Sequence, residues 1–235
     1  MGLNQTAILV EFNGLPGCGK TTIANELLEE LRSLGYAVAT HKELLHHRVK
    51  VKKLDLFKSL LDARNRKFFN ASLLLCFSTR PFKLGRIQYA RNAYVYYYTV
   101  HICRKERKEY DFIICDQGLL QVILSIIHMD KINKPKTVQK MLEDAFAGLG
   151  TVILVNCKVK IDTAKERIRL RKLKCGRLDY ITEDEKLVSA LTRQECCLET
   201  IRNMASNLVE GNVLELDMHH VVDKNLQTIL KRLQV

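Results

Sequence analysis

Apolar residues along the chain fall into two patterns. Short, nearly continuous apolar runs at 7–12, 36–40, 111–116, 151–155 and 212–216 have the length and character of strands in a sheet covered on both faces. Between them, apolar positions recur at three- and four-residue intervals, the spacing of helices with one face in a core. The clearest case follows the first run. There Ile23, Ala24, Leu27, Leu28, Leu31 and Leu34 share a face, Glu26, Glu29, Glu30 and Arg32 lie opposite, and Gly35 supplies a left-handed stop. Strands alternating with helices predict an α/β fold, a three-layer sandwich around a five-stranded parallel sheet, with ligands bound beyond the carboxyl ends of the strands. No Pro- or Ser-rich linker and no internal repeat divides the chain, so residues 1–235 are expected to form one domain.

Composition narrows the class. With 47% hydrophobic residues, 11 Gly and 3 Pro, the sequence fits neither a disordered nor a fibrous protein. The longest apolar stretch, 118–129, is interrupted by Gln121 and Ser125 and falls short of the roughly 18 residues that span a bilayer, so no membrane association is expected. No basic region precedes the apolar residues 7–10 and no small-residue cleavage site follows them, which points to the cytoplasm. The eight cysteines form no C-x-x-C pair and read as small core residues in a reducing compartment. The histidine pairs His46-His47 and His219-His220 read as loop or surface residues rather than metal ligands. Thirty-eight Lys and Arg against 26 Asp and Glu leave a charge of +12, which attracts phosphate, whether on nucleic acid or on a small molecule.

The candidate chemistry begins directly after the first strand. Residues 13–22 read Asn-Gly-Leu-Pro-Gly-Cys-Gly-Lys-Thr-Thr and open the first helix, so Gly14-x-x-x-x-Gly19-Lys20-Thr21 has the phosphate-loop spacing between a strand and a helix amino terminus. Glycines without Cβ let backbone N–H groups turn toward phosphate oxygens, and the helix end adds unpaired donors and partial positive charge. Gly14, Gly17, Cys18, Gly19, Lys20, Thr21 and Thr22 are therefore the expected ATP contacts, with Lys20 on the β and γ phosphates and the Thr21 hydroxyl on Mg²⁺. A turn that merely joined strand to helix would not require Lys-Thr after its last glycine. The Cys18 side chain reads as a small residue turned away from the ligand, with redox sensitivity as the other reading.

Three further segments add to this. Asp116 closes the third apolar run, where a strand would carry a carboxylate to the phosphate end of the sheet near Mg²⁺; the other reading is a cap for the next helix. Residues 165–177 hold seven cations in thirteen positions. A helix N-capped by Asp162 would put Arg167, Arg171 and Lys174 on one side, with only Ile168 and Leu173 for apolar anchorage. That predicts an Arg-rich lid at about 162–182 that closes over transferring phosphate, against the plainer reading of a solvated charged face. The cluster Tyr94-Val-Tyr-Tyr-Tyr98, flanked by Arg86, Arg91 and Arg104, suits either base stacking or a core, and the core is the commoner use.

Taken in order, these parts resemble the thymidylate kinase and deoxynucleoside kinase group of P-loop kinases over nearly the whole chain. The likeness rests on Val10-Glu11-Phe12-Asn13-Gly14, Gly35-Tyr36-Ala37-Val38, Ile114-Cys115-Asp116, Glu166-Arg167-Ile168-Arg169-Leu170-Arg171, and Val213-Leu214-Glu215-Leu216-Asp217 with its following helix. It implies the P-loop NTPase fold of nucleotide-kinase type, ATP and Mg²⁺ as cofactors, and a small nucleotide or nucleoside as acceptor. It also implies that Glu43 contacts the acceptor or serves as base, that Arg80 or its rival Arg86 holds the acceptor, and that Arg167, Arg171 and Arg177 are lid arginines followed by Asp179. Two departures touch the acceptor: Gln117 stands where the group usually has arginine, and Leu44 where proline usually follows the acid. A homodimer is compatible with this reading.

The expectation is a Mg²⁺-dependent phosphotransferase that moves the ATP γ-phosphoryl to a nucleoside monophosphate. A nucleoside kinase using Glu43 as base toward a sugar hydroxyl is the alternative, followed by a polyanion-binding P-loop ATPase with nucleic acid as partner, and by a degenerate kinase serving as a scaffold. A GTPase-like switch fits poorly, because Asn133-Lys134-Pro135-Lys136 lacks the aspartate of the guanine motif and follows no strand.

Overall fold

The structure is a computed structural model. It describes residues 7–47, 58, 60–78, 87, 90–95, 97, 109–127, 132, 134–147, 149–174 and 176–235. Strands β1 (Ile8–Gly14), β2 (Val38–Thr40), β3 (Phe112–Cys115), β4 (Val152–Lys158) and β5 (Val213–Asp217) form one parallel five-stranded sheet in the order β2-β3-β1-β4-β5. Helices α1 (Lys20–Ser33), α2 (His41–His47), α3 (Ala63–Ser78) and α4 (Leu119–Ile127) come first. They are followed by α5 (Pro135–Phe146), α6 (Ile161–Arg169), α7 (Asp184–Ser206) and α8 (Val222–Leu233). From the central β1 the chain steps out to β2, fills the gap with β3, then crosses to the other side for β4 and β5. That reversal opens a crevice beyond the carboxyl end of β1, where the chain turns into α1.

Alternation along the strands divides the core into two layers. Val10, Phe12, Ile114, Ile153 and Val155 face one side and pack with Ile23, Leu27 and Leu31 of α1 and Ile229 and Leu230 of α8. Leu9, Ile113, Cys115, Val152 and Leu154 face the other and pack with α3, α4, α5 and α7. Each fully buried Leu, Ile or Phe contributes on the order of 1.5–3 kcal/mol, enough in sum to hold helices on both faces. Within the stretch at 118–129, residues 119–127 form α4, whose Leu119, Leu120, Ile123, Leu124, Ile126 and Ile127 are all buried. Among the described residues no helix is long and apolar enough to cross a membrane.

The strands differ from the sequence expectation at their ends. β2 starts at Val38, because Ala37 N donates to the Asp111 carboxylate at 2.8 Å and its carbonyl accepts from Asp111 N at 2.8 Å, pinning the entry to the strand. β4 continues past Val155 to Lys158, since both of its neighbours extend with it: Cys157 registers with Gly14 of β1, and Lys158 with Asp217 of β5. The tyrosine cluster is core where it is described. Tyr94 and Tyr97 are buried, Tyr97 stacks on Phe68 with centroids 4.2 Å apart, and Tyr94 meets Phe69 edge-on, so these two rings are not free to stack on bases.

Two polar features at the carboxyl end of β1 escape the apolar pattern. Glu11 is fully buried and accepts the Leu120 N–H at 2.8 Å, and Gly118 makes room for it, since a Cβ there would lie 2.0 Å from Glu11 Cδ. On β1 and β4, Asn13 Nδ2 donates to Asn156 Oδ1 at 2.7 Å, while Arg202 Nε of α7 donates to Asn13 Oδ1 at 2.7 Å and Arg202 Nη1 to Glu195 at 2.9 Å. The buried guanidinium thereby ties the longest described helix to the sheet just before the loop begins.

Candidate active site

The loop between β1 and α1 owes its shape to close contacts that only glycine tolerates. Gly17 and Gly19 adopt left-handed φ of 85° and 101°. A Cβ on Gly17 would stand 2.7 Å from the Ala164 carbonyl of α6, so this glycine lets α6 pack directly on the loop. α1 begins at Lys20, leaving its first N–H groups at the loop. The Lys20 ammonium is buried and donates to the Gly14 and Leu15 carbonyls at 2.8 and 2.9 Å, folded back along the loop it would serve. Cys18 lies 3.6 Å from Lys20 Nζ. The Cys157 thiol on β4, with Lys20, holds the Cys18 thiol well below its ordinary value against the push of burial, while Cys157 is held above it.

The loop forms one side of a cleft of about 600 Å³. Arg167, Arg171 and Arg177 line the same cleft, as do Gln117 beside α4, Met218 and His220 of the β5–α8 connection, and Asn225 of α8. Arg167 bridges two parts of it, donating to the Cys18 carbonyl and the Met218 carbonyl at 3.1 Å each. Arg171 pairs with the buried Asp179 at 3.1 Å, and Asp179 also accepts the Gly176 N–H at 2.8 Å. Arg177 donates to the Ser125 carbonyl at 3.3 Å, joining the lid segment to α4.

The lid differs from its expected form. α6 ends at Arg169 with Leu170 as its C-cap, so Arg171 and Lys174 lie beyond the helix and no shared helical face brings them together with Arg167. Asp162 sits in the first turn, and the N-cap is Lys160. Leu173 is 76% exposed, and the buried anchorage comes from Ala164 and Ile168, packed with Leu15, Leu178, Leu187 and Leu191. Past Ile168 the apolar side chains of Leu170 and Leu173 are exposed and add no burial; the helix ends at Arg169, and a 3-10 turn at Arg177–Tyr180 returns the chain to the cleft.

Asp116, just past β3, accepts from the Thr21 hydroxyl at 3.2 Å and pairs with Lys42 at 2.8 Å. Among the described residues no three His, Cys, Asp or Glu side chains form a metal cage. One hydroxyl and one carboxylate at the loop are nevertheless the donors that fit Mg²⁺, which takes most of its ligands from water and substrate phosphate. His41 lies beside Asp116; desolvation lowers its pKa to about 4, with the Asp116 charge opposing. Glu43 stands apart from the large cleft and lines a smaller one with Thr40, Lys42 and Asp116. It is held by Arg32 at 2.8 Å and by the Thr40 amide at 2.7 Å. Burial pushes its carboxyl up, but the Arg32 and Thr40 bonds outweigh that and keep it below the usual range. Its carboxylate is thus engaged in bracing α1 and α2, and Glu43 is not among the residues that line the large cleft. Arg80 and Arg86 lie outside the described residues.

Two glutamines stand out among the cleft residues that the sequence does not mark as site residues. Gln121 and Gln194 both line the cleft, and the Oε1 atom of each is buried with no hydrogen-bond partner among the described residues. The interruption of an apolar run at Gln121 was a visible signal, since a polar residue there has to meet something polar. Gln194 is one polar position among many on α7, and nothing local marks it.

No family model matches the chain. No curated protein matches it either. Among solved structures the chain is similar to deoxyadenosine kinase from M. mycoides with bound dATP. The two share 16% identity with a TM-score of 0.48, over 98% of this chain and 100% of that one.

Proposed function

We propose that the protein is an ATP-dependent phosphotransferase whose acceptor is a nucleoside monophosphate. The observation that carries this reading is the gathering of Lys20, the loop amides and three lid-segment arginines around a single cleft at the carboxyl end of the sheet. Phosphoryl transfer asks the protein for placement and for cations around spread negative charge, and little else. The loop amides and Lys20 hold the β and γ phosphates, and Lys20 leaves the Gly14 and Leu15 carbonyls to do so. Arg167 joins the loop to the β5–α8 connection and faces the donor nucleotide. Arg171 and Arg177 approach the transferring group from the lid, whose closure keeps water from competing with the acceptor. Mg²⁺ held by Thr21 and Asp116 would neutralise charge on the donor phosphates.

The choice of acceptor rests on the carboxylates. Among the described residues the only one lining the cleft is Asp179, already engaged by Arg171 and Gly176, and Glu43 is turned to Arg32. A monophosphate oxygen needs no base, whereas a sugar hydroxyl benefits from one. Gln117, Gln121 and Gln194 offer amides at the α4 side, and the two unpartnered carbonyl oxygens suit donors on a base or sugar. The uncharged amides also favour a second reading, a nucleoside acceptor. Incubation with γ-labelled ATP and a panel of nucleosides and nucleoside monophosphates, with and without Mg²⁺ chelation, separates the two. Label on a monophosphate is expected; label on nucleosides alone selects the second reading, and no label on any acceptor overturns both.

A further inference from the structure

Two sulfurs meet under the phosphate loop. In the β1–β4 register Cys157 lies opposite Gly14, and the loop folds back so that Cys18 covers the same spot. A Cβ on Gly14 would be 2.7 Å from Cys18 Sγ, 3.1 Å from Cys157 Cβ and 2.6 Å from the Cys157 carbonyl. The missing side chain of Gly14 is therefore the space in which the two thiols converge. Both are almost fully buried in the same apolar layer, and Lys20 Nζ is 3.6 Å from Cys18 Sγ. Cys18 lines the cleft and Cys157 does not, which puts Cys18 on the side from which a small solute approaches.

We propose that Cys18 and Cys157 are an oxidative modification site at which a peroxide joins the two sulfurs and takes the phosphate loop out of use. The reaction balances without a further reagent. The Cys18 thiolate, favoured by the ammonium beside it, attacks one peroxide oxygen; the O–O bond breaks, an S–O bond forms, and the leaving oxygen departs as water or alcohol after taking a proton. The Cys157 sulfur then attacks Cys18 Sγ. The S–O bond breaks, the S–S bond forms, and hydroxide leaves as water with the Cys157 proton. Two thiols have lost two electrons in total and one peroxide has gained them. The inequality of the thiols assigns the order: Cys18 is the attacking sulfur and Cys157 the resolving one.

A disulfide fixes Cys18 to β4, which prevents the loop from rearranging around phosphate and holds Lys20 among the loop carbonyls. This effect on nucleotide binding rests on the function proposed above, but formation of the bond does not. The test treats the full-length protein with hydrogen peroxide, blocks remaining thiols and maps peptides without reduction, with binding of a fluorescent ATP analogue followed in parallel. A Cys18–Cys157 crosslink is expected, removed by dithiothreitol, with nucleotide binding lost on oxidation and regained on reduction. Cys157→Ser should bind nucleotide like the parent, form no crosslink, and leave Cys18 as a sulfenic acid trapped by dimedone. Separate alkylation of both cysteines after peroxide, or pairing of Cys18 with another cysteine, overturns the proposal. A crosslink that leaves nucleotide binding unchanged overturns the control of the loop. Absence of nucleotide binding in the reduced protein refutes the proposed function, while peptide mapping still decides whether the thiols pair.

Discussion

Replacement of Lys20 by Met keeps the length and apolar stem of the side chain while removing its charge. In the folded protein the ammonium makes two charge-assisted bonds, to Gly14 and Leu15 at 2.8 and 2.9 Å, each worth about 1.5–3 kcal/mol in a buried setting. Against that stands the several kcal/mol needed to bury the charge of a residue that is only 8% exposed, which Met does not incur. The two contributions oppose each other, so the net change in stability should stay within about 2 kcal/mol and the variant should remain folded. Phosphoryl transfer has no such offset. A preorganised cation is lost where negative charge grows, which costs about 2.7–4 kcal/mol in barrier, or roughly 100- to 1,000-fold in turnover. Urea unfolding of both proteins fixes the stability change, and single-turnover transfer of label from γ-labelled ATP to the monophosphate acceptor measures the chemistry. A folded Lys20→Met variant that transfers at the parent rate would refute the reasoning, since nothing else in the loop carries this charge.

Arg171→Ala should lower kcat by about 10- to 100-fold and change ATP affinity much less, because its partner charge develops during transfer; equal losses in both would mark a simple binding role. Asn13→Ala removes the acceptor of Arg202 Nε and leaves a guanidinium with only 5% side-chain exposure short of a partner, so urea unfolding should show a loss of about 3 kcal/mol. His41 supplies a pH dependence. Its folded pKa of about 4 lies below the ordinary 6.5, so the unfolded chain binds the extra proton between these values. Stability is full above pH 6.5 and falls as pH drops toward 4, by at most about 3 kcal/mol, and His41→Gln should flatten thermal midpoints across that window.

How much of this was legible in the chain depended on whether the signal was local. The strand-loop-helix unit from Ile8 to Ser33 could be read directly, because apolar continuity, glycine placement and helical spacing all act within a few residues of one another. Glycine at 17 and 19 answered a requirement of the loop's own backbone, with φ in the left-handed region. The strands were visible for a similar reason: the buried β1, β3 and β4 are apolar almost throughout, and the partly exposed edge strand β5 still carries Val213, Leu214 and Leu216. Their ends were not, as the case of β4 shows: Asn156 and Cys157 belong to it through neighbours on either side.

Tertiary structure alone decided which side chains face one another. Glu43 carries the right chemistry for a base, yet it pairs with Arg32, eleven positions earlier on α1, and lines a smaller pocket than the one at the phosphate loop. Gln194 reaches the cleft only because α7 packs over the sheet, and Arg202 of that helix meets Asn13 across 189 positions. Cys18 and Cys157 read as two unrelated small residues until parallel pairing sets Cys157 beside Gly14. Local pattern determines what each segment can become, because backbone sterics and burial act over one or two turns. The pairing of distant groups depends on strand order and helix packing, which arise from the summed burial of the whole chain and are written in no single stretch of it.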